Sequence, residues 1–424
     1  MGTTGKLYRG MGAILVIICI FSAAAPAGWN QKAKIDAADA SEYDYFGISV
    51  AVCGDYAIVG ARYDDDHGMN SGSAYIFKRT GEYWTQYYKL TASDAAARQM
   101  FGYSVSITAD YAIVGALGDG SSPGAAYVFK RGGGGWGQVA KLTASDGVGG
   151  DQFGISVSIC AGPLSSGDYA LVGAYWDDDN GTDSGSVYVF DAPGGTWTDR
   201  SEFFKLLAPD GSPRDYFGYS VSGDANYAVV GAQWRNSPGG LTKAGAAYIF
   251  KFGDTGWQYE DILTASDAQA GDWLGYSVAI CPYYCIVGAS SHHAAAPLSG
   301  AAYIFRDLSG SWSELSKLTA SDGAEMDMFG CSVSIDSDWA LVGAYLEDFG
   351  ASETGSAYVY EHTCPTADLS GDCRVEYNDV TVLGDWWLEA GCGPLSECPA
   401  DLDGSGTVNF GDLVVLASQW LAYN

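Results

Sequence analysis

Two stretches near the end of the 424-residue chain space their oxygen-bearing side chains so that each could wrap around one hard cation. In the first, Asp368, Ser370, Asp372, Glu376 and Asp379 stand at positions one, three, five, nine and twelve of a loop, with the Arg374 carbonyl at seven. In the second, Asp401, Asp403, Ser405, Asn409 and Asp412 hold the same positions, with the Thr407 carbonyl at seven. Calcium takes about six to eight oxygens from a flexible loop, and this spacing supplies them around one ion. The expectation is two Ca2+ ions, one per loop, whose binding is coupled to folding of the segment. Val375 and Val408 fall at position eight, where the two loops can pair. At position six of the first loop Cys373 replaces the glycine that a positive φ favours, which lowers affinity unless a disulfide holds the residue. The plainer alternative, acidic turns without metal, requires two aligned loops to arise by chance.

Each loop runs into an apolar, helix-like segment, at 380–388 and 413–421. Cys364, Cys373, Cys392 and Cys398 crowd this small module, where crosslinks compensate for a small core, and their connectivity stays open. Residues 364–424 resemble a type I dockerin domain with Asp in place of Glu at position twelve. The resemblance implies a protein partner of the cohesin kind. Positions ten and eleven are Tyr377-Asn378 and Phe410-Gly411 where dockerins often carry Ser-Thr, so the partner expected is cohesin-like or another extracellular protein.

The body of the chain is repetitive. Phe46-Gly47, Phe101-Gly102, Phe153-Gly154, Phe217-Gly218, Leu274-Gly275 and Phe329-Gly330 head six units, each with four short apolar segments. Phe46, Ile48, Val50 and Val52 alternate with small residues, which predicts a strand. Tyr56–Ala61 is apolar on both faces, as a strand covered on both sides must be. Two-residue links such as Gly54-Asp55 predict antiparallel hairpins. Four strands per unit is the size of a propeller blade, so the fold class expected is all-β, a six-bladed β-propeller over 28–363, followed by a small α-helical EF-hand-like module. The segment from Trp29 to Asp39 aligns with the outer-strand segment from Trp136, and the last unit lacks that strand. The N-terminal segment is therefore expected to complete the sixth blade and close the ring. Each blade then has one tryptophan: Trp29, Trp84, Trp136, Trp197, Trp257 and Trp312. The Phe-Gly and Val-Gly-Ala pairs resemble the FG-GAP repeats of integrin α-subunits and of bacterial exported proteins. Links between the first two strands are mostly too short for the Asp-rich calcium loop of the integrin repeats, so propeller calcium of that kind is not expected.

Residues 1–27 read as a signal peptide: Lys6 and Arg9, an apolar run from Met11 to Phe21, then small residues through Ala27. Acidic side chains number 51 against 21 basic, which argues against nucleic acid as a partner. Cys53, Cys160, Cys281, Cys285 and Cys331 are scattered over the repeats and read as buried free thiols.

Acidic residues gather in two kinds of link that share one end of the ring. Inter-blade links carry Asp39, Asp94, Asp146, Asp210, Asp267 and Asp322, with Asp44, Asp151, Asp215, Asp272 and Asp327 just before the Phe-Gly positions. Second-to-third links add Asp64-Asp65-Asp66, Asp177-Asp178-Asp179 with Asp183, and Glu347-Asp348. One reading is a carboxylate-lined face for cations, cationic proteins or glycans; the other is turn chemistry in which Asx side chains satisfy loop backbone. His67, His292, His293 and His362 do not recur and read as solvated loop residues. No nucleophile and base stand out, and the expectation is a secreted, non-enzymatic binding and assembly protein. The alternatives are an exported polysaccharide-acting enzyme and a structural surface or adhesion component.

Overall fold

Runs of β-branched and aromatic residues, bounded by Gly and Asp turns, form antiparallel sheets whose strands follow one another in sequence order. The computed structural model describes residues 33–162, 167–308, 310–336, 339–347 and 355–361, and within the C-terminal stretch residues 380, 383, 400, 402, 408 and 412–417. The first sheet comprises Phe46–Cys53, Tyr56–Ala61, Ser73–Thr80 and Tyr83–Leu90, and its first hairpin closes at Cys53 and Tyr56 across a two-residue turn. The same plan recurs to give six sheets, five with four strands and the last with three among the described residues. This is an all-β six-bladed propeller. The third outer strand is the one irregular copy: it shrinks to Phe204–Leu206 after the turn Pro193–Gly195, yet Trp197 stays buried.

Five seams between consecutive blades hold the core. Ile58 and Ile76 pack on Val105 and Val114, Ile113 and Val128 on Val172, Leu171 and Val189 on Val230, Val229 and Ile249 on Val287, and Ile286 on Val342. In four of them a tyrosine opening a second strand meets the tryptophan of the next blade edge-on: Tyr56 and Trp136 at 5.9 Å, Tyr111 and Trp197 at 6.3 Å, Tyr169 and Trp257 at 5.1 Å, Tyr227 and Trp312 at 5.7 Å.

The two glycine signatures are one contact seen from two sides. A Cβ on Gly231 of Val-Gly-Ala would collide with the carbonyl oxygen of Gly275, the Phe-Gly-type glycine of the next blade, which itself sits at φ +89. That carbonyl also accepts a hydrogen bond from Ser220 Oγ at 2.9 Å, and Ser49, Ser104, Ser156 and Ser277 repeat it across the other four seams at 2.8–3.0 Å.

The sixth seam departs from the expected closure. Gly343, in the last Val-Gly-Ala, meets only its own blade's Ser332 and Cys331, and a Cβ on Gly47 would meet nothing within 4 Å. Ile48, Val50 and Val52 are 44%, 68% and 68% exposed, whereas Val105 and Ile107 at matching positions are buried. The N-terminal segment reaches half of its expected place. Ile35 and Ala37 pack on Val59, Tyr75 and Phe77 of the first blade, and the Ala38 amide donates to Gln86 at 2.8 Å, as Ser93 does to Gln138 in the next blade. Residues 33–35 form no ladder with Ser356–Glu361, and Trp29 lies outside the described residues. Pairing the two ends of the array is the contact of greatest sequence separation, so it carries the largest loop-closure cost.

In the C-terminal stretch residues 412–417 are helical, and Leu383, Ala400, Val408 and Leu416 are buried. The rest of the expected EF-hand-like module, and the expected signal peptide, lie outside the described residues.

Candidate functional site

The acidic links do share one end of the propeller, but the structure gives most of their carboxylates an internal partner. A tyrosine in the third strand of a blade donates to the aspartate of the preceding inter-blade link, and a cation joins them. Tyr127 and Lys141 hold Asp94 at 2.9 and 2.5 Å, Tyr188 and Lys205 hold Asp146 at 2.8 and 2.7 Å, and Tyr303 and Lys317 hold Asp267 at 2.7 and 2.5 Å. In the fourth blade Ile262 stands where the lysine would be, and Arg235 reaches Asp210 at 2.5 Å from the second-to-third link. In the sixth blade Tyr358 meets Asp322 at 2.8 Å, while Lys34, at the position of the strand lysine, lies 3.5 Å from Asp36.

Two second-to-third links join these nodes. Lys89 stands 2.6, 2.9 and 2.5 Å from Asp39, Asp64 and Asp66. These three carboxylates are close enough to share a metal ion, but the ammonium already sits among them. Lys205 does the same for Asp146, Asp177 and Asp179 at 2.7, 3.2 and 2.5 Å. Burial alone would raise Asp39, Asp94, Asp146, Asp210 and Asp267, yet the hydrogen bonds from the cation and the tyrosine outweigh it and hold them below the usual carboxylate range.

The second acidic row caps loop backbone. Asp44, Asp151, Asp215, Asp272 and Asp327 accept from the amide three residues earlier at 2.6–2.8 Å. Burial raises Asp44, Asp151 and Asp215. Among the described residues turn chemistry and ion pairing engage both rows, as the second of the two readings expects.

The reading of His292 is corrected. It is 1% exposed, not solvated: Lys317 donates to its Nε2 at 2.8 Å, so its proton sits on Nδ1, 2.9 Å from Asp272 Oδ2. His67 and His293 do lie in exposed turns. The five repeat cysteines are free; Cys160, Cys281 and Cys285 are buried, and burial pushes the Cys160 and Cys281 thiols up to about 11.

With the acids engaged, aromatic rings dominate this end. Tyr175 lies 5.0 Å from Trp176, 5.2 Å from Tyr216 and 5.5 Å from Tyr219. Tyr216 stacks on Trp234 at 4.4 Å, Tyr219 lies 5.2 Å from Tyr276, and Tyr276 runs parallel to Trp273 at 6.5 Å. The series therefore crosses blades three, four and five without a break. Trp176 is 39% exposed and Tyr345, on the sixth blade, 54%. The residue before each Phe-Gly adopts a left-handed backbone without being glycine: Tyr45, Met100, Gln152, Tyr216, Trp273 and Met328, with φ of 52–60. Such conformations persist where surrounding structure enforces them, and they aim these side chains.

The first blade adds a cation. The Arg62 guanidinium lies 5.5, 4.8 and 4.9 Å from the ring centroids of Tyr45, Tyr63 and Tyr103. Sequence reasoning read Phe-Gly and Val-Gly-Ala for the fold and passed over the residues just after them. Tyr103, Tyr219 and Tyr276 follow the first signature, and Arg62-Tyr63, Tyr175-Trp176 and Gln233-Trp234 the second. That recurrence was the available signal.

Of the expected calcium ligands, Asp412 is the one among the described residues. It is buried and opens the helical turn 412–417, with Val408 buried four residues earlier.

FG-GAP repeats match residues 29–77, 84–129, 136–190, 200–250, 257–305 and 312–360. No curated protein matches the chain. A chain of the solved structure entitled "Crystal Structure of Mitotic Checkpoint Complex" is 13% identical, with a TM-score of 0.47, over 80% of this chain and 82% of its own.

Proposed function

The chain belongs to the FG-GAP repeat family, and from that premise we propose that it is a secreted, non-enzymatic recognition and assembly protein. The propeller presents the binding surface, and the C-terminal tail docks it to a cohesin-like or other extracellular partner. The observation that carries this reading is the unbroken aromatic series across blades three to five, on the end that holds the inter-blade and second-to-third links. Rings held by strands and by enforced backbone lose little entropy on binding, which suits recognition. In the tail, Asp412 would close the second calcium loop, with Asp401, Asp403, Ser405, Asn409 and the Thr407 carbonyl as its companions. Bound calcium would supply charge neutralisation that lets the loop fold.

The test is a binding panel of oligosaccharides and peptides with the full-length protein, run beside hydrolase assays on the same panel. Binding without turnover is expected, reduced in the Tyr216→Ala/Trp234→Ala/Trp273→Ala variant. Turnover of any panel member, or no binding at all, overturns the reading.

A further inference from the structure

The chain carries a net charge of −30, and at the acidic end Lys89, Lys141, Lys205, Arg235 and Lys317 each grip a link aspartate, while Arg98, Arg214 and Lys243 stand exposed to water without an ion pair among the described residues. Arg62 differs from both groups. Among the described residues its side chain forms no ion pair and donates no hydrogen bond, and its Nε–H is shut off from solvent with no acceptor. A guanidinium has five donors and no acceptor, and leaving a shielded one unmet is costly. The ring faces of Tyr45, Tyr63 and Tyr103 stabilise the charge but accept none of its in-plane N–H groups. An anion with paired oxygens satisfies that fork best, and a carboxylate matches it in plane.

We propose that Arg62 binds the carboxylate of an acidic sugar residue, part of a glycan whose neutral residues stack on the aromatic series of blades three to five. This rests on the recognition reading above and assigns its ligand class. Tyr103 relates the two halves: its ring lies 4.9 Å from the Arg62 guanidinium, and it follows the Phe-Gly signature of its blade as Tyr219 and Tyr276 follow theirs. The phenol hydroxyls beside those rings can pair with sugar hydroxyls while the ring faces meet the apolar C–H faces of pyranoses. A glycan is favoured over an acidic peptide on charge. The strongly negative chain repels a ligand with many carboxylates, whereas one carboxylate on an otherwise neutral oligosaccharide meets the shielded Arg62 guanidinium.

The experiment is calorimetric titration of the full-length protein with three probes: a β-1,4-glucan tetrasaccharide ending in glucuronate, the same tetrasaccharide ending in glucose, and a tetrapeptide with one glutamate. The uronate probe is expected to bind about tenfold more tightly than the neutral one, as a charge-assisted pair implies. That preference disappears in Arg62→Gln and survives in part in Arg62→Lys, while Trp234→Ala weakens both sugars alike. Equal affinity for the two sugars, or a preference that persists in Arg62→Gln, overturns the assignment. Binding of the peptide alone overturns it and leaves the recognition reading intact; binding of no probe removes both.

Discussion

Blades four and five meet through a seam in which every element of the repeat is engaged; blades six and one carry the same elements and leave them idle. At the first, Gly231 lies against the Gly275 carbonyl, Ser220 bonds it, and Val229 and Val287 are fully buried. At the second, Ser332 and Gly343 face no partner carbonyl among the described residues, and Val50 is 68% exposed. The lesson is that the signatures encode a capacity for contact, realised where the chain itself delivers the next blade. Five seams are delivered by short covalent links, and the sixth depends on the two ends of the array finding each other.

The largest expected effect comes from removing residues 29–39. Ile35 and Ala37 cover Tyr75 and Phe77, so the deletion should cost about 3–5 kcal/mol, read as one cooperative shift of the urea midpoint. An unchanged midpoint would break the idea that this segment holds the first blade. Next, Gly231→Ala forces a side chain into backbone and should cost about 3 kcal/mol, while Gly343→Ala should cost less than about 1 kcal/mol. Equal costs would mean that the sixth seam closes in solution as tightly as the others. Smaller again, Tyr248→Phe removes a buried phenol's bond to Asp210 and should cost about 1–2 kcal/mol, against about 0.5 kcal/mol for Tyr358→Phe, whose bond to Asp322 is exposed.

Acid sharpens the same contrast. The link aspartates titrate below their unfolded value in the folded chain, so their stabilisation is complete above about pH 4 and is lost as pH falls through the folded values. The buried caps Asp44, Asp151 and Asp215 are raised and act in the opposite sense, giving stability that fades as pH rises through their folded values. Stability should therefore fall between pH 4 and pH 2, and Asp210→Asn should flatten that limb in urea titrations across the range. The smallest effect is kinetic: Cys53, half-buried at the edge of the seam between blades one and two, should alkylate well before Cys160, whose thiol is buried and raised to about 11.

The repeat spacing, hairpin links and apolar alternation made the blades legible, because each depends on residues close in sequence. Closure was not legible, since alignment of Trp29 with Trp136 reports equivalence of type but not whether distant ends meet. The candidate site was half legible. The aspartate rows stood out, but their partners, such as Lys205 with Asp146 or His292 with Asp272, sit on elements far away in the chain. The aromatic series was hidden for the same reason: Tyr216 and Trp234 become one surface only after the sheet has folded.

The matched repeat and the folded blade are out of phase. Residues 84–129 supply the outer strand of one sheet and three strands of the next. Copying such a unit lengthens the array without ever leaving an interior sheet short, because every new copy donates the strand its predecessor lacks and borrows one in turn. The debt is passed along and surfaces at the two extremities alone, whatever the number of copies. A gene built this way can gain or lose blades by whole-unit recombination and meet the same unfinished edge each time.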